Sequence, residues 1–117
     1  MKEFHKINLL YDFYGSLLTE RQQNFIELYY GDDLSLGEIA EQFDVTRQAV
    51  HDTLKRAEQT LGTYEEKLGL VDKFSKEYRS IEEALHLIQR YQTGLEPDGL
   101  EKTKEILESI LKNRQEF

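Results

Sequence analysis

Apolar residues recur along this chain every third or fourth position, in blocks separated by short polar or glycine-bearing breaks, which is the signature of amphipathic helices. Phe4, Ile7, Leu10, Tyr14, Leu17 and Leu18 predict a first helix over residues 4–18. Tyr11 and Phe13 widen its stripe, so this helix is expected to pack on more than one side. Thr19 and Gln22 form a capping pair for a second helix, whose apolar face is Phe25, Ile26, Leu28 and Tyr29. Gly31 is the natural residue to end it, and Asp32 and Asp33 follow as a solvated turn.

Residues 35–58 organise the rest. Ser35 and Glu38 make a capping box, and Leu36, Ile39, Ala40 and Phe43 then fall on one helix face. Asp44 and Val45 break that pattern. Thr46 caps the next helix, which is expected to bury Ala49, Val50 and Leu54. A short helix, a three-residue turn and a longer helix make a helix-turn-helix unit. In such a unit the outward residues of the second helix can enter a DNA major groove. Here the candidates are Thr46, Arg47, Gln48, His51, Asp52, Lys55 and Arg56.

The second helix of the unit runs on. Val50, Leu54, Ala57, Leu61, Tyr64 and Leu68 are spaced 4, 3, 4, 3 and 4 apart, a heptad seam that predicts one helix over residues 46–68. Gly62 weakens that helix by about 1 kcal/mol relative to alanine without ending it, and Gly69 is expected to stop it. So long a seam calls for a partner: the C-terminal helices, a second copy of the chain, or both. After a short connection at residues 70–73, Phe74, Tyr78, Ile81, Leu85, Ile88 and Tyr91 predict a fifth helix. Gly94-Leu95-Glu96-Pro97-Asp98-Gly99 is the strongest turn. Leu100, Thr103, Leu107 and Ile110, with Ile106 and Leu111 beside them, form the face of a sixth helix, and residues from about Asn113 are expected to fray. The fold class is therefore all-α. Residues 1–68 form a helix-turn-helix domain and residues 69–117 a helical hairpin, expected to pack on the long helix or on a second subunit in a homodimer.

Composition narrows the function. The chain has no cysteine, which excludes disulfides and thiolate metal sites and suits a cytoplasmic location. No apolar run is long enough to insert in a membrane, and no signal peptide opens the sequence. Lys and Arg number 15 against 23 Asp and Glu, a net charge of −8. Phosphate binding rests on basic side chains, so this balance argues against strong non-specific nucleic-acid binding. Between Thr46 and Arg56, however, three basic residues face a single Asp, a local positive island. Enzyme chemistry finds no support. Glu65-Glu66 and Glu82-Glu83 are sequential on helices and point about 100° apart. His5, His51 and His86 are too dispersed to suggest a ligand cluster. No catalytic residue, metal, cofactor or small-molecule substrate is expected.

Two resemblances sharpen this. Leu17-Leu18-Thr19 and Gln22, leading through Leu28-Tyr29-Tyr30 into residues 35–58, resemble region 4 of sigma factors and related wingless helix-turn-helix domains. A closer resemblance, over roughly residues 1–68, is to the YlxM family. It is carried by Asn8, Leu9, Tyr11, Asp12, Phe13, Tyr14, Leu17, Leu18, Thr19 and Gln22, then Glu27-Leu28-Tyr29-Tyr30. It continues through Ser35-Leu36, Glu38-Ile39-Ala40-Glu41, Arg47-Gln48-Ala49-Val50, Asp52 and Lys55-Arg56. Genes of that family lie beside those for the signal recognition particle, so the resemblance implies a part in that pathway or its regulation, and no enzymatic site. The chain departs from the pattern at three positions. Asp44 stands where such turns usually hold glycine, Gly37 lies inside the first helix of the unit, and His51 replaces a frequent aromatic.

The expectation is a regulatory helix-turn-helix protein of the signal recognition particle pathway that binds DNA. Arg47 and Lys55 would touch phosphates and Gln48 would read a base edge. Asp52 repels phosphate but can accept from a cytosine amino group. The alternative is a protein-interaction module that binds protein or RNA components of the particle, with the helix-turn-helix as scaffold.

Overall fold

The computed structural model describes residues 2–94 and 98–115, with the side chains of residues 5–94 and 98–113. Its helices are α1 (Lys2–Tyr14), α2 (Glu20–Ile26), α3 (Leu36–Phe43), α4 (Arg47–Leu68), α5 (Leu70–Gln92) and α6 (Gly99–Gln115), and no strand occurs among the described residues. The chain divides into two compact units, Met1–Val71 and Asp72–Phe117. Leu95, Glu96 and Pro97 of the expected turn lie outside the described residues, as does the side chain of Phe4.

The first unit is built around α4, which packs against α1, α2 and α3. Its seam residues Val50, Leu54, Ala57 and Leu61 are all buried. They meet Leu10, Tyr14 and Leu18 from the first helical segment, Phe25 and Ile26 from α2, and Ile39 and Ala40 from α3 in one core. Each large side chain here gains about 1.5–3 kcal/mol on leaving water. Tyr64 stacks on Tyr14, with ring centroids 5.9 Å apart. The seam expected to need an outside partner is thus occupied within its own unit, up to the exposed Leu68.

Several boundaries differ from those the sequence predicts. The first helix ends at Tyr14, and a 3-10 turn at Gly15–Leu17 carries the chain to the Thr19–Gln22 capping box, whose reciprocal bonds are 3.0 and 3.2 Å. Gly31 does not supply a left-handed stop after α2. The helix instead widens into a π turn at Glu27–Gly31, where Asp32 N–H reaches the Glu27 carbonyl at 3.0 Å, and the left-handed residue is Asp33. The turn sets Tyr29 edge-on to Tyr30, and the Tyr30 hydroxyl donates to Glu58 of α4 at 2.9 Å.

Gly69, at φ 64°, ends α4 as expected. No four-residue connection follows, because α5 begins at once with Leu70. The first free N–H groups of a helix need acceptors, and here Tyr14 and Glu65 supply them. Leu70 N–H donates to the Tyr14 hydroxyl at 3.1 Å and Val71 N–H to Glu65 Oε1 at 2.9 Å. The Tyr14 hydroxyl donates in turn to the same Glu65 oxygen at 2.7 Å.

In the second unit, α5 and α6 approach through small residues. Thr103 Oγ1 donates to the Ala84 carbonyl at 3.3 Å, and both residues are buried. A Cβ on Gly99 would lie 2.7 Å from the Leu87 carbonyl oxygen, so only glycine permits this approach. The expected apolar faces are rearranged accordingly. Gly99, Thr103, Ile106 and Ile110 are the covered residues of α6, whereas Leu100, Leu107 and Leu111 are exposed. On α5, Ala84 is buried while Phe74, Tyr78, Ile81, Leu85 and Tyr91 are exposed.

Tyr14→Phe removes one hydroxyl from the Glu65 and Leu70 network at little cost in shape. It is expected to destabilise the fold by about 1–3 kcal/mol in urea denaturation. Burial, and then the hydrogen bond to Glu65, raise the Tyr14 phenol above tyrosine's ordinary value. A raised folded value means that this contribution is complete below about pH 10 and is lost as pH climbs through it. The Tyr14→Phe variant is therefore expected to lack that alkaline loss.

Candidate nucleic-acid interface

The geometry of the interface starts at the two caps of the helix-turn-helix. The Ser35 hydroxyl accepts from Glu38 N–H at 3.1 Å, and the Glu38 carboxylate accepts from Ser35 N–H at 3.0 Å. The Ser35 backbone N–H, and then the Ser35 hydroxyl beside it, hold the Glu38 carboxyl below the usual range. Eleven residues later the Thr46 hydroxyl accepts from Ala49 N–H at 3.0 Å and opens α4. Between the caps, Asp44 sits at φ 54°, ψ 49°, the left-handed conformation that glycine usually provides. Val45 N–H closes the turn on the Ala40 carbonyl at 3.0 Å.

Packing fixes the angle between the helices. Ile39 and Ala40 meet Val50 and Leu54 in the core, and Phe43 lies edge-on to Phe25 with centroids 5.0 Å apart. The Arg21 guanidinium covers both rings, 5.7 Å from Phe25 and 5.6 Å from Phe43. Gly37 faces Arg47: a Cβ there would lie 3.8 Å from the Arg47 Cδ and Nε, so the arginine stem runs along α3 before its charge reaches solvent.

Thr46, Arg47, Gln48, His51, Asp52, Lys55 and Arg56 are all exposed. The structure joins three of them directly. Gln48 Nε2 donates to Asp52 Oδ1 at 2.9 Å, and His51 Nδ1 lies 3.5 Å from the same oxygen. The Gln48 bond, then the His51 contact, lower the Asp52 carboxyl below its ordinary range, with a smaller contribution from the Arg56 charge. Asp52 is therefore ionised at neutral pH and carries negative charge into the middle of a basic face. Thr46 spends an acceptor on its cap, while Arg47 and Lys55 extend from the same stretch of α4.

One expectation fails here and adds a residue. Ala49 is exposed rather than buried, because α4 turns only Val50 and Leu54 inward over this stretch. A helix turns about 100° per residue, so adjacent Ala49 and Val50 cannot both face a narrow contact. The methyl of Ala49 thus belongs to the outer face. The signal for this was the heptad register of Val50, Leu54 and Ala57, which leaves Ala49 off the seam. Among the described residues no group of three or more His, Asp or Glu is placed to hold a metal ion.

Comparison with known proteins agrees with this architecture. The model of a family described as "Putative helix-turn-helix protein, YlxM / p13 like" matches residues 1–93. A UPF0122 protein of Desulforamulus reducens is 73% identical over 117 residues, covering 100% of both chains. UPF0122 proteins of Bacillus cereus AH187 and Bacillus anthracis A0248 are each 49% identical over 107 residues, covering 92% of this chain and 93% of theirs. The chain belongs to the YlxM/p13-like family. The YlxM-like match takes in the whole helix-turn-helix and all of α5, so the family pattern is not confined to the first unit.

The turn of this YlxM-like unit gives a direct test of its strain. A left-handed residue other than glycine costs about 1–2 kcal/mol, less for Asp than for most. Asp44→Val is expected to lower stability by at least about 1 kcal/mol, and Asp44→Gly to leave it unchanged or raise it. Thermal and urea unfolding of the two variants against the parent chain measure the difference.

Proposed function

We propose that this helix-turn-helix protein is a cytoplasmic regulator linked to the signal recognition particle pathway, and that it acts by binding DNA through the outer face of α4. The observation that carries the reading is the joint exposure of Thr46, Arg47, Gln48, His51, Lys55 and Arg56 on the helix that such units insert in the major groove. Arg47 and Lys55 neutralise phosphates and fix the register. Gln48 reads a base edge once its amide leaves Asp52, and the Ala49 methyl fits against a thymine methyl. Asp52 accepts from a cytosine amino group or excludes sequences that offer no donor there. The pathway link rests on the family resemblance, and the location on the lack of cysteine together with the lack, among the described residues, of any helix able to cross a membrane.

A second reading has an observation of its own. Residues 1–71 carry 7 basic and 13 acidic side chains, a net of −6, and Asp52 keeps one of those charges at the centre of the face. A surface of that sign suits a basic protein component of the particle, with the helix-turn-helix as scaffold.

The two readings separate in one binding experiment. Labelled DNA from upstream of the chain's own gene, and the signal recognition particle protein–RNA complex, are titrated with the protein at low and at physiological salt. DNA binding is expected to weaken with salt. Arg47→Ala/Lys55→Ala is expected to weaken it uniformly across sequences and to reduce the salt slope by about 2. Binding to the particle that ignores those two residues, with no DNA shift at either salt, overturns the DNA reading.

A further inference from the structure

Among its described residues, 72–94 and 98–113, the hairpin has almost no interior of its own. Ala84, Gly99 and Thr103 are the buried ones there, small residues that bring α5 and α6 together without burying much apolar surface. The large side chains lie elsewhere. Phe74, Tyr78, Ile81 and Leu85 on α5, and Leu100, Leu107 and Leu111 on α6, are between 44% and 62% exposed.

Helix geometry puts these side chains on one surface. At about 100° per residue, the four on α5 lie roughly 60–120° round the helix from Ala84. The three on α6 lie roughly 40–80° from Thr103 in the same rotational sense. The helices run antiparallel, since Lys73 bonds to Asn113 at one end and Leu87 meets Gly99 at the other. Equal rotation on antiparallel helices directs both sets to the same side. The opposite side is a groove lined mainly by polar residues, among them Asp72, Lys76, Ser80, Ser109 and Asn113, with Ile110 also in its lining. The hairpin therefore has one apolar face and one polar face.

We propose that the apolar face is covered by the same face of a second copy of this chain, the two hairpins closing a four-helix bundle. Side chains of this kind, about half exposed, together present on the order of 600 Å², which approaches the roughly 800 Å² that each partner buries in a stable interface. A two-helix hairpin with one apolar face holds half the helices of a bundle, and a two-fold axis supplies the other half with no new surface. Charge permits it: residues 72–117 hold 8 basic and 10 acidic groups, a net of −2, whereas residues 1–71 carry −6. Pairing through the hairpin joins the nearly neutral part of the chain. The chain's own first unit offers no matching face. Its seam on α4 is already filled, and Phe13, Leu17 and Leu68 are its exposed large apolar side chains among the described residues. This pairing does not depend on whether α4 binds DNA.

Sedimentation velocity on the full chain, from micromolar to several hundred micromolar, tests the proposal. The parent protein is expected at twice its chain mass. Leu85→Glu/Leu107→Glu alters exposed positions only, so its circular dichroism is expected to stay unchanged while its dimer dissociation constant rises more than about 100-fold. The chain has no cysteine, so single thiols can be introduced cleanly. A short bismaleimide is expected to link two copies through Leu107→Cys and not through Ser109→Cys, which lies on the polar side. A parent chain that stays monomeric overturns the proposal, as does a dimer that survives the double substitution or equal linking from both thiols. A monomer in which the thiol of Leu107→Cys resists labelling also overturns it, because some other surface then covers the face.

Discussion

The burial of one side of α4 is the constraint from which the first unit follows. Val50, Leu54, Ala57 and Leu61 present a straight seam, and α1, α2 and α3 each bury their own stripe against it. Because the seam faces inward, the residues opposite it must face out, and those residues form the candidate recognition face. Exposure of Arg47, Gln48, His51, Asp52, Lys55 and Arg56 is thus a consequence of core packing. The same packing sets α3 against α4 through Ile39, Ala40 and the Phe43–Phe25 contact, so the candidate face stands on a packed support.

Where the determinants are local, the sequence was readable. Both capping boxes, the Thr46 cap, the Asp44 turn, the extent of α4 and its stop at Gly69 come from a few adjacent residues, and the structure has them all. The exposure of the seven candidate residues followed from the same local register. What was not readable depends on partners that the helical period does not pair. The start of α5 is set by Tyr14 and Glu65, which cap Leu70 and Val71 from 56 and 6 positions away. Periodicity marks such residues as apolar or polar but does not say which free N–H group they will satisfy. The π turn at Glu27–Gly31 has the same character, since Glu58 on α4 receives the Tyr30 hydroxyl that the widened turn presents. The α5–α6 contact was hidden in another way. Ala84, Gly99 and Thr103 form it, while most of the large residues of the expected stripes stay exposed. Small residues let helices approach closely, and a stripe count that weights size overlooks them.

The recognition face holds a contradiction that its hydrogen bonds explain. A chain with net charge −8 offers DNA little general attraction, and the proposed reading therefore rests on the few cations of α4. Within that face Asp52 is ionised and bound to Gln48 Nε2. A glutamine reads adenine by using its amide nitrogen and oxygen together. In the free protein the nitrogen already has an acceptor, so reading adenine must exchange one hydrogen bond for another and leave the Asp52 carboxylate to find a new donor. His51 Nδ1 already lies 3.5 Å from that oxygen, and the Arg56 charge favours the carboxylate. A cytosine amino group would supply it without displacing Gln48. Under the proposed DNA reading, this arrangement would favour sites that present a donor opposite Asp52 over those that do not.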